Sequence, residues 1–140
     1  MGKYSQKGHQ ISVHTPLGKD VLYLIGFDAK DEHSRLFSYQ LEMFSDEPDI
    51  KAKDIVGKNV TVVVSYPDQE DRYFNGYINK FSNQGTGARG TAYRAEMVPW
   101  LWFASKTSDC RIFQEKDVKE IIEKIFGDLG LTDFDLSGVT

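Results

Sequence analysis

Alternating apolar and polar positions dominate the chain before residue 99. Five stretches place an apolar side chain at every second position, which predicts β-strands that turn at least one face toward a core. These stretches are 21–27, 37–43, 60–66, 72–81 and 91–98. The last three follow one another through short polar segments, so they predict an antiparallel meander. Residues 51–56 precede Gly57 and predict a single helical turn.

One stretch near the C-terminus has the period of a helix instead. Its apolar stripe consists of Val118, Ile121, Ile122, Ile125, Phe126 and Leu129. This spacing predicts an amphipathic helix. Asp117 and Glu120 have the spacing of a capping box, and Gly127 and Gly130 are candidate stop signals. We expect the stripe, together with Phe113, to be buried against the sheet.

A further strand is predicted to begin at residues 132–136, which brings the sheet to about six strands. The predicted fold is mainly β (a β-rich α+β fold), with an antiparallel sheet curled into a small barrel and one C-terminal amphipathic helix. Closure is favoured because an open sheet this rich in aromatic residues would leave an adhesive edge. Residues 1–140 are predicted to form a single domain, since no linker, repeat or low-complexity segment interrupts them.

Composition narrows the class of protein. The 17 Lys and Arg residues against 21 Asp and Glu give a net charge of −4, which disfavours a general nucleic-acid binder. The single cysteine, Cys110, excludes an intrachain disulfide. The first ten residues are polar and do not resemble a signal peptide, and no apolar run approaches the roughly 18 residues of a membrane span. We therefore expect a protein that folds in the cytoplasm.

No motif predicts catalysis, a cofactor or a metal. Residues 85–90 match G-x-G-x-x-G, but a strand pattern follows where a dinucleotide site needs a helix, so a hairpin loop is predicted. The histidines, His9, His14 and His33, lack metal-site spacing, and Cys110 has no second thiol. We therefore predict that the chain is not an enzyme.

Aromatic residues on a small barrel could also stack single-stranded bases. The candidate platform is Tyr73, Tyr77 and Phe81, with Arg72, Lys80 and Arg89 nearby. The net charge opposes this interpretation, and packing in a core or an interface is the favoured alternative.

Several motifs occur together in one order. They are Asp54–Lys58, Arg72–Ile78 with its Phe-x-Gly, Tyr93–Trp102 with its Pro-Trp-x-Trp, and Asp109–Gln114 ahead of the helix. In combination they resemble the N-terminal region of the VgrG family, the spike proteins of type VI secretion systems, which are related to the hub proteins of contractile phage tails. Members of that family are much longer, so the resemblance implies an N-terminal fragment of a hub.

The resemblance implies a mechanical function. Family hubs are homotrimers that adapt the Hcp tube to a membrane-piercing needle, with effectors carried on the complex and export that needs no signal peptide. No catalytic residue is carried over. The structural or interface candidates are Phe74, Gly76, Pro99, Trp100, Trp102, Arg111, Phe113 and Gln114. The alternative function is a β-barrel module that binds single-stranded nucleic acid or carbohydrate.

Residues 100–103 are four consecutive large apolar residues, so their side chains point in several directions in either backbone conformation. An extended conformation puts Trp100 and Trp102 on one face, and a helical turn is the alternative. We expect part of this surface to be covered by other hub segments or by neighbouring chains, unless the barrel core takes up all four side chains.

Overall fold

A computed structural model describes residues 5–139 of the chain. They divide into two compact units, with the boundary between Pro99 and Trp100. The first unit contains β1 (Ile11–His14), β2 (Tyr23–Lys30), β3 (Ser38–Ser45), α1 (Ala52–Ile55), β4 (Asn59–Val64), β5 (Arg72–Gly87) and β6 (Gly90–Val98). The second unit contains α2 (Leu101–Ala104) and α3 (Val118–Asp128).

The first unit is a nearly closed barrel of six antiparallel strands in the order β1-β4-β5-β6-β3-β2. The predicted meander is confirmed as β4-β5-β6, and the mainly β fold class is confirmed with it. The first and last strands of this order, β1 and β2, lie against each other, so the sheet curls almost onto itself.

The gap between β1 and β2 is bridged by the side chain of Gln6. Its Oε1 accepts hydrogen bonds from the backbone N–H of Val13 in β1 (2.8 Å) and of Leu24 in β2 (3.3 Å). Its Nε2 donates to the carbonyl oxygen of Val13 (3.1 Å). Asp20 holds the backbone N–H of Gln6 in turn (3.2 Å). One amide therefore satisfies backbone groups of both edge strands where the ladder stops.

The core lies inside the barrel and is built from alternate residues of every strand. Leu41, Val62, Ile78 and Met97 are among its fully buried members. Tyr93 is also buried, but its hydroxyl is paired: it donates to the carbonyl oxygen of Glu47 (3.0 Å) and accepts from the N–H of Ile50 (3.2 Å). The core thus fixes the loop that leads into α1.

A β-bulge in β5 reverses which side chains point inward. The register with β6 shifts between Ile78 and Lys80, so Phe81 turns to the interior, where its ring stacks on that of Tyr93 at 5.0 Å. Phe81 is therefore not part of a stacking platform with Tyr73 and Tyr77, and its place against the core agrees with the favoured alternative of packing. Strict alternation fails here because a bulge inserts one extra residue into the strand.

The sixth strand is not the expected one. Residues 132–136 are not a strand, and the barrel takes β1 instead, a four-residue strand too short to show a clear period. Residues 100–103 adopt the helical alternative, with Leu101–Ala104 forming α2 directly after Pro99 ends the ladder. The described residues therefore contain three helices: the predicted turn α1, the predicted amphipathic helix α3, and α2, which was one of two alternatives for its segment.

The signals at both ends of α3 act as predicted. Asp117 Oδ1 accepts from the N–H of Glu120 (2.8 Å), and Glu120 Oε2 accepts from the N–H of Asp117 (3.0 Å), which completes the capping box. At the other end Gly130 has φ +71°, and the N–H of Leu131 donates to the carbonyl of Phe126 (2.8 Å). This is a Schellman motif, in which glycine removes the cost of the left-handed conformation.

Candidate functional site

The sequence-predicted residues fall in both units. Phe74 and Gly76 lie in β5, and Pro99 follows β6. Trp100 precedes α2 and Trp102 lies within it, whereas Arg111, Phe113 and Gln114 occupy the segment between α2 and α3. The sequence motifs thus divide into a group in the barrel wall and a group after it.

Phe74 belongs to an aromatic cluster of the barrel. Its ring meets those of Phe27 and Tyr39 edge-on, at centroid distances of 5.1 and 5.7 Å. Phe37 stacks on Tyr39 at 4.4 Å, and the guanidinium of Arg72 lies 5.3 Å from the Phe74 centroid. These contacts join strands β2, β3 and β5, so Phe74 contributes to packing of the barrel.

Gly76 is required by the close approach of β6. A Cβ at this position would lie 2.7 Å from Met97 Cγ and 2.8 Å from the carbonyl oxygen of Val98. Gly90 has a similar role at the start of β6, because its φ is +129° and a Cβ there would collide with Phe44. The Phe-x-Gly motif is therefore explained by packing of the barrel wall.

The glycine-rich segment is part of a hairpin. β5 runs through Gly87 and pairs with Gly90, which leaves only Ala88 and Arg89 in the turn. The next residues form β6, so no helix N-terminus is present to hold a pyrophosphate. The prediction of a hairpin at this motif is confirmed.

The aromatic residues after Pro99 pack among themselves. Trp100 meets Phe126 of α3 edge-on at 5.1 Å, and Phe126 meets Phe134 in the same way at 5.0 Å. The indole N–H of Trp100 donates to the carbonyl oxygen of Asp133 (3.0 Å). Trp102 lies under the ammonium group of Lys106, at 4.6 Å. The two tryptophans thus have different surroundings.

Arg111 and Phe113 line the same groove, which has a volume of about 530 Å³. Ala104, Ile125 and Leu129 complete its apolar lining. Gln114 is exposed and is not among the described residues that line it. The structure therefore brings together two of the three candidates from the Asp109–Gln114 motif.

Two charged residues of this groove, Asp109 and Arg111, belong to a set of ion pairs. Arg111 donates to Asp109 through Nε (2.6 Å) and to Asp128 through a terminal guanidinium nitrogen (2.7 Å), and Lys124 Nζ lies 3.4 Å from Asp128. The hydrogen bond and charge of Arg111 lower the pKa of Asp109, and the same hydrogen bond raises the pKa of Arg111. The partner of Arg111 in α3 is Asp128, which is distant in the sequence. No sequence pattern indicated that these two residues would pair.

The described residues after Pro99 include no fully buried side chain. Ile112 is 90% exposed and Val118 is 68% exposed, and Leu101 and Leu129 are also exposed. We call these four the exposed apolar set. The expectation that the stripe of α3 is buried is therefore wrong, because the rest of this short unit covers its residues only in part.

The part of the chain that the structure describes contains neither a candidate metal site nor a helix that could span a membrane. Residues 5–139 contain no cluster of three or more His, Cys, Asp or Glu side chains that could hold a metal ion. Within the same range, every helix is too short or too polar to cross a membrane. Cys110 is a free, exposed thiol.

Comparisons with known proteins give one consistent family. Residues 30–139 match the model of the family described as phage tail baseplate hub (GPD). The chain is 39% identical over 133 residues to the type VI secretion system spike protein VgrG1c of Pseudomonas aeruginosa, and 35% identical over 131 residues to VgrG1b of the same organism. Each alignment covers 94% of this chain and 18% of the relative, so the chain spans about a fifth of the length of these proteins.

A solved structure shows the same fold. The E. coli c3393 protein, described as a component of the type VI secretion system with structural similarity to the T4 phage tail proteins gp27 and gp5, matches with a TM-score of 0.61 at 19% identity. The match covers 86% of this chain and 30% of that one. From these matches and the fold, the chain belongs to the phage tail baseplate hub (GPD) family and is a homologue of the VgrG spike proteins of type VI secretion systems.

Proposed function

We propose that this chain is a hub module that assembles as a homotrimer in a complete type VI secretion spike and adapts the Hcp tube to the membrane-piercing needle for effector delivery. The observation that carries the proposal is the exposed apolar set. The four side chains of this set lie on the surface after Pro99, in a unit whose described residues include none that is buried. Burial of these side chains against a partner would be favourable, because it removes apolar surface from water.

The groove of Arg111 and Phe113 has the make-up of an interface. Protein interfaces combine an apolar centre with a polar rim, and Arg is enriched in them. Here Phe113, Ile125 and Leu129 supply the apolar part, and Arg111 with its ion pairs supplies the charged part. A neighbouring copy of the hub is the partner we propose for it.

We assign the module no catalytic role and no cofactor. Its named relatives are spike proteins, and its sequence motifs are accounted for by packing and by the groove. We propose further that the spike is assembled in the cytoplasm and exported without a signal peptide. A barrel that is held by apolar packing, in a chain with one cysteine, suits folding in a reducing compartment.

Sedimentation of the 140-residue chain and of a longer spike protein that contains it tests the proposal. We expect the longer protein to be trimeric and the short chain to be monomeric or weakly associated, with one tryptophan more accessible to a quencher. A double variant of the longer protein, Ile112→Ser with Val118→Ser, should lose the trimer and the capture of Hcp. Ile25→Ser, which changes an exposed apolar residue of the barrel, is the matched control. If the double variant trimerises and captures Hcp like the control, the proposed surface is wrong.

A further inference from the structure

The outer face of the barrel carries a groove that has no part in the proposed assembly. Its volume is about 440 Å³, within the range of small-molecule sites. The floor is Val63 of β4, whose partners in register are Ser12 in β1 and Tyr73 in β5. These three residues form one row across three strands. The Tyr73 ring is 68% exposed at the end of this row.

Two walls rise beside this row. One contains Tyr66, which follows β4 and is 42% exposed. The other is the segment that leads into β1, where the N–H of Ser65 donates to the carbonyl of Gln10 (2.8 Å) and the N–H of His9 donates to the carbonyl of Gln6 (3.1 Å). Backbone hydrogen bonds thus hold both walls, so the groove is formed before any ligand binds.

The lining groups indicate the class of ligand. Hydroxyl, amide and imidazole side chains come from Gln10, Ser12, His14 and Ser65. Asp71 is the one acidic group, and none of the described residues that line the groove is Lys or Arg. A nucleic acid or another polyanion needs clustered cations, so this groove disfavours it. A neutral ligand rich in hydroxyl groups matches the donors and acceptors that are present.

We infer that this groove binds a neutral oligosaccharide. The apolar C–H face of a sugar ring would lie on Tyr73, with Tyr66 elsewhere in the lining of the groove. Sugar hydroxyls would pair with the carboxylate of Asp71 and with the polar side chains of β1. The inference stands apart from the proposed hub function, because every residue that it uses lies before Pro99 and outside the exposed apolar set.

The test is an NMR titration of the ¹⁵N-labelled 140-residue chain with maltotriose, cellotriose and chitotriose in separate experiments. We expect at least one of them to shift the backbone amide signals of Ser12, Val63 and Tyr73. Tyr73→Ala should weaken that binding by about tenfold through loss of the stacking ring. Tyr73→Phe keeps the ring and should bind like the parent. Ile25→Ala removes an exposed apolar side chain outside the groove and is the control.

Three results would overturn the inference. The first is that none of the three sugars shifts the amides of the row at millimolar concentration. The second is that Tyr73→Ala binds as tightly as Tyr73→Phe, with both variants folded by the dispersion of their spectra. The third is that a short oligothymidylate shifts the same amides, which would assign the groove to nucleic acid. Asp71→Asn provides a second variant, and we expect weaker binding from it without loss of fold.

Discussion

The barrel and the segment after Pro99 differ in how they bury apolar side chains. Every fully buried residue that the structure describes lies between Val13 and Val98, and none lies in residues 100–139. The barrel pairs strand to strand around a common interior. The second unit is held by edge-on aromatic contacts and by the exposed ion pairs of Arg111, and exposed ion pairs each contribute little to stability.

This difference indicates which unit of the module can fold without a partner. The barrel buries a core with members from each of its six strands, so we expect it to fold without a partner. A unit that leaves Ile112 and Val118 exposed has apolar surface that further burial would stabilise. We therefore expect the first unit to fold independently. Under the proposed function, the second unit makes the contacts of assembly.

The largest expected effect comes from one matched pair of substitutions. Ile78→Ala in the barrel should lower the free energy of unfolding by about 2–5 kcal/mol, because Ile78 is fully buried and its loss leaves a cavity. Ile121→Ala in α3 should cost less than about 1.5 kcal/mol, because that side chain is only partly covered. Chemical denaturation of the two variants measures both values. Equal losses would abolish the contrast between the units.

A smaller effect is expected at the barrel wall. Gly76→Ala should cost about 1–3 kcal/mol, because the added methyl group would overlap Met97 and the carbonyl of Val98. Gly87→Ala is the control, since a Cβ there meets nothing within 4 Å, and its effect should stay within about 0.5 kcal/mol. Thermal unfolding compares them. A neutral Gly76→Ala would mean that β6 moves away from β5 easily.

The barrel seam should respond to Gln6. Gln6→Ala leaves backbone groups of Val13 and Leu24 without this partner, and we expect a loss of about 1–2 kcal/mol. Hydrogen exchange at the two amides should accelerate in the variant. Gln10→Ala, which changes an exposed glutamine of the same segment, is the control. Unchanged exchange in Gln6→Ala would show that the seam closes without the amide.

The smallest effect is a dependence on pH through Glu96. Partial burial raises the pKa of this carboxyl, but polar neighbours, first the hydrogen bond from Ser38 (2.8 Å), and the charge of Lys80, whose Nζ lies 3.2 Å from Glu96, outweigh burial and lower the pKa overall. A lowered folded-state pKa stabilises the fold above the unfolded pKa, and this contribution is lost as the pH falls through the folded one. We expect less than about 1 kcal/mol.

Unfolding curves between neutral and acidic pH measure this contribution. Glu96→Gln should be less stable than the parent at neutral pH, and the difference should shrink as the pH falls. Glu42, an exposed partner of Arg94, offers the matched control Glu42→Gln. A difference that grows toward acid would contradict the assigned direction.

The strands and caps could be predicted because they depend on neighbours in the sequence. The meander, the hairpin at Gly90, the turn of α1 and the capping box of Asp117 and Glu120 all follow from local spacing. Two features carried no such signal. The bulge that turns Phe81 inward depends on register with β6, and the short β1 is a strand only because β4 pairs with it.

The candidate residues were found as a group, but their roles were not. Gly76 matters because Met97 approaches it, and Arg111 matters because Asp128 of α3 comes within 2.7 Å. The groove beside Tyr73 was missed, since its residues come from three strands, a turn and the segment before β1, which lie together only in the barrel.

By itself, the sequence determined the period of each element, the signals that end it and the family to which the chain belongs. Those properties are local, or they are carried by motifs in a set order. The tertiary structure alone decided where the barrel closes, which face Phe81 takes and which apolar side chains stay exposed after Pro99. These features depend on pairing and packing between residues that are distant in the chain. The burial of a side chain is set by the neighbours that contact it, and local sequence does not specify them.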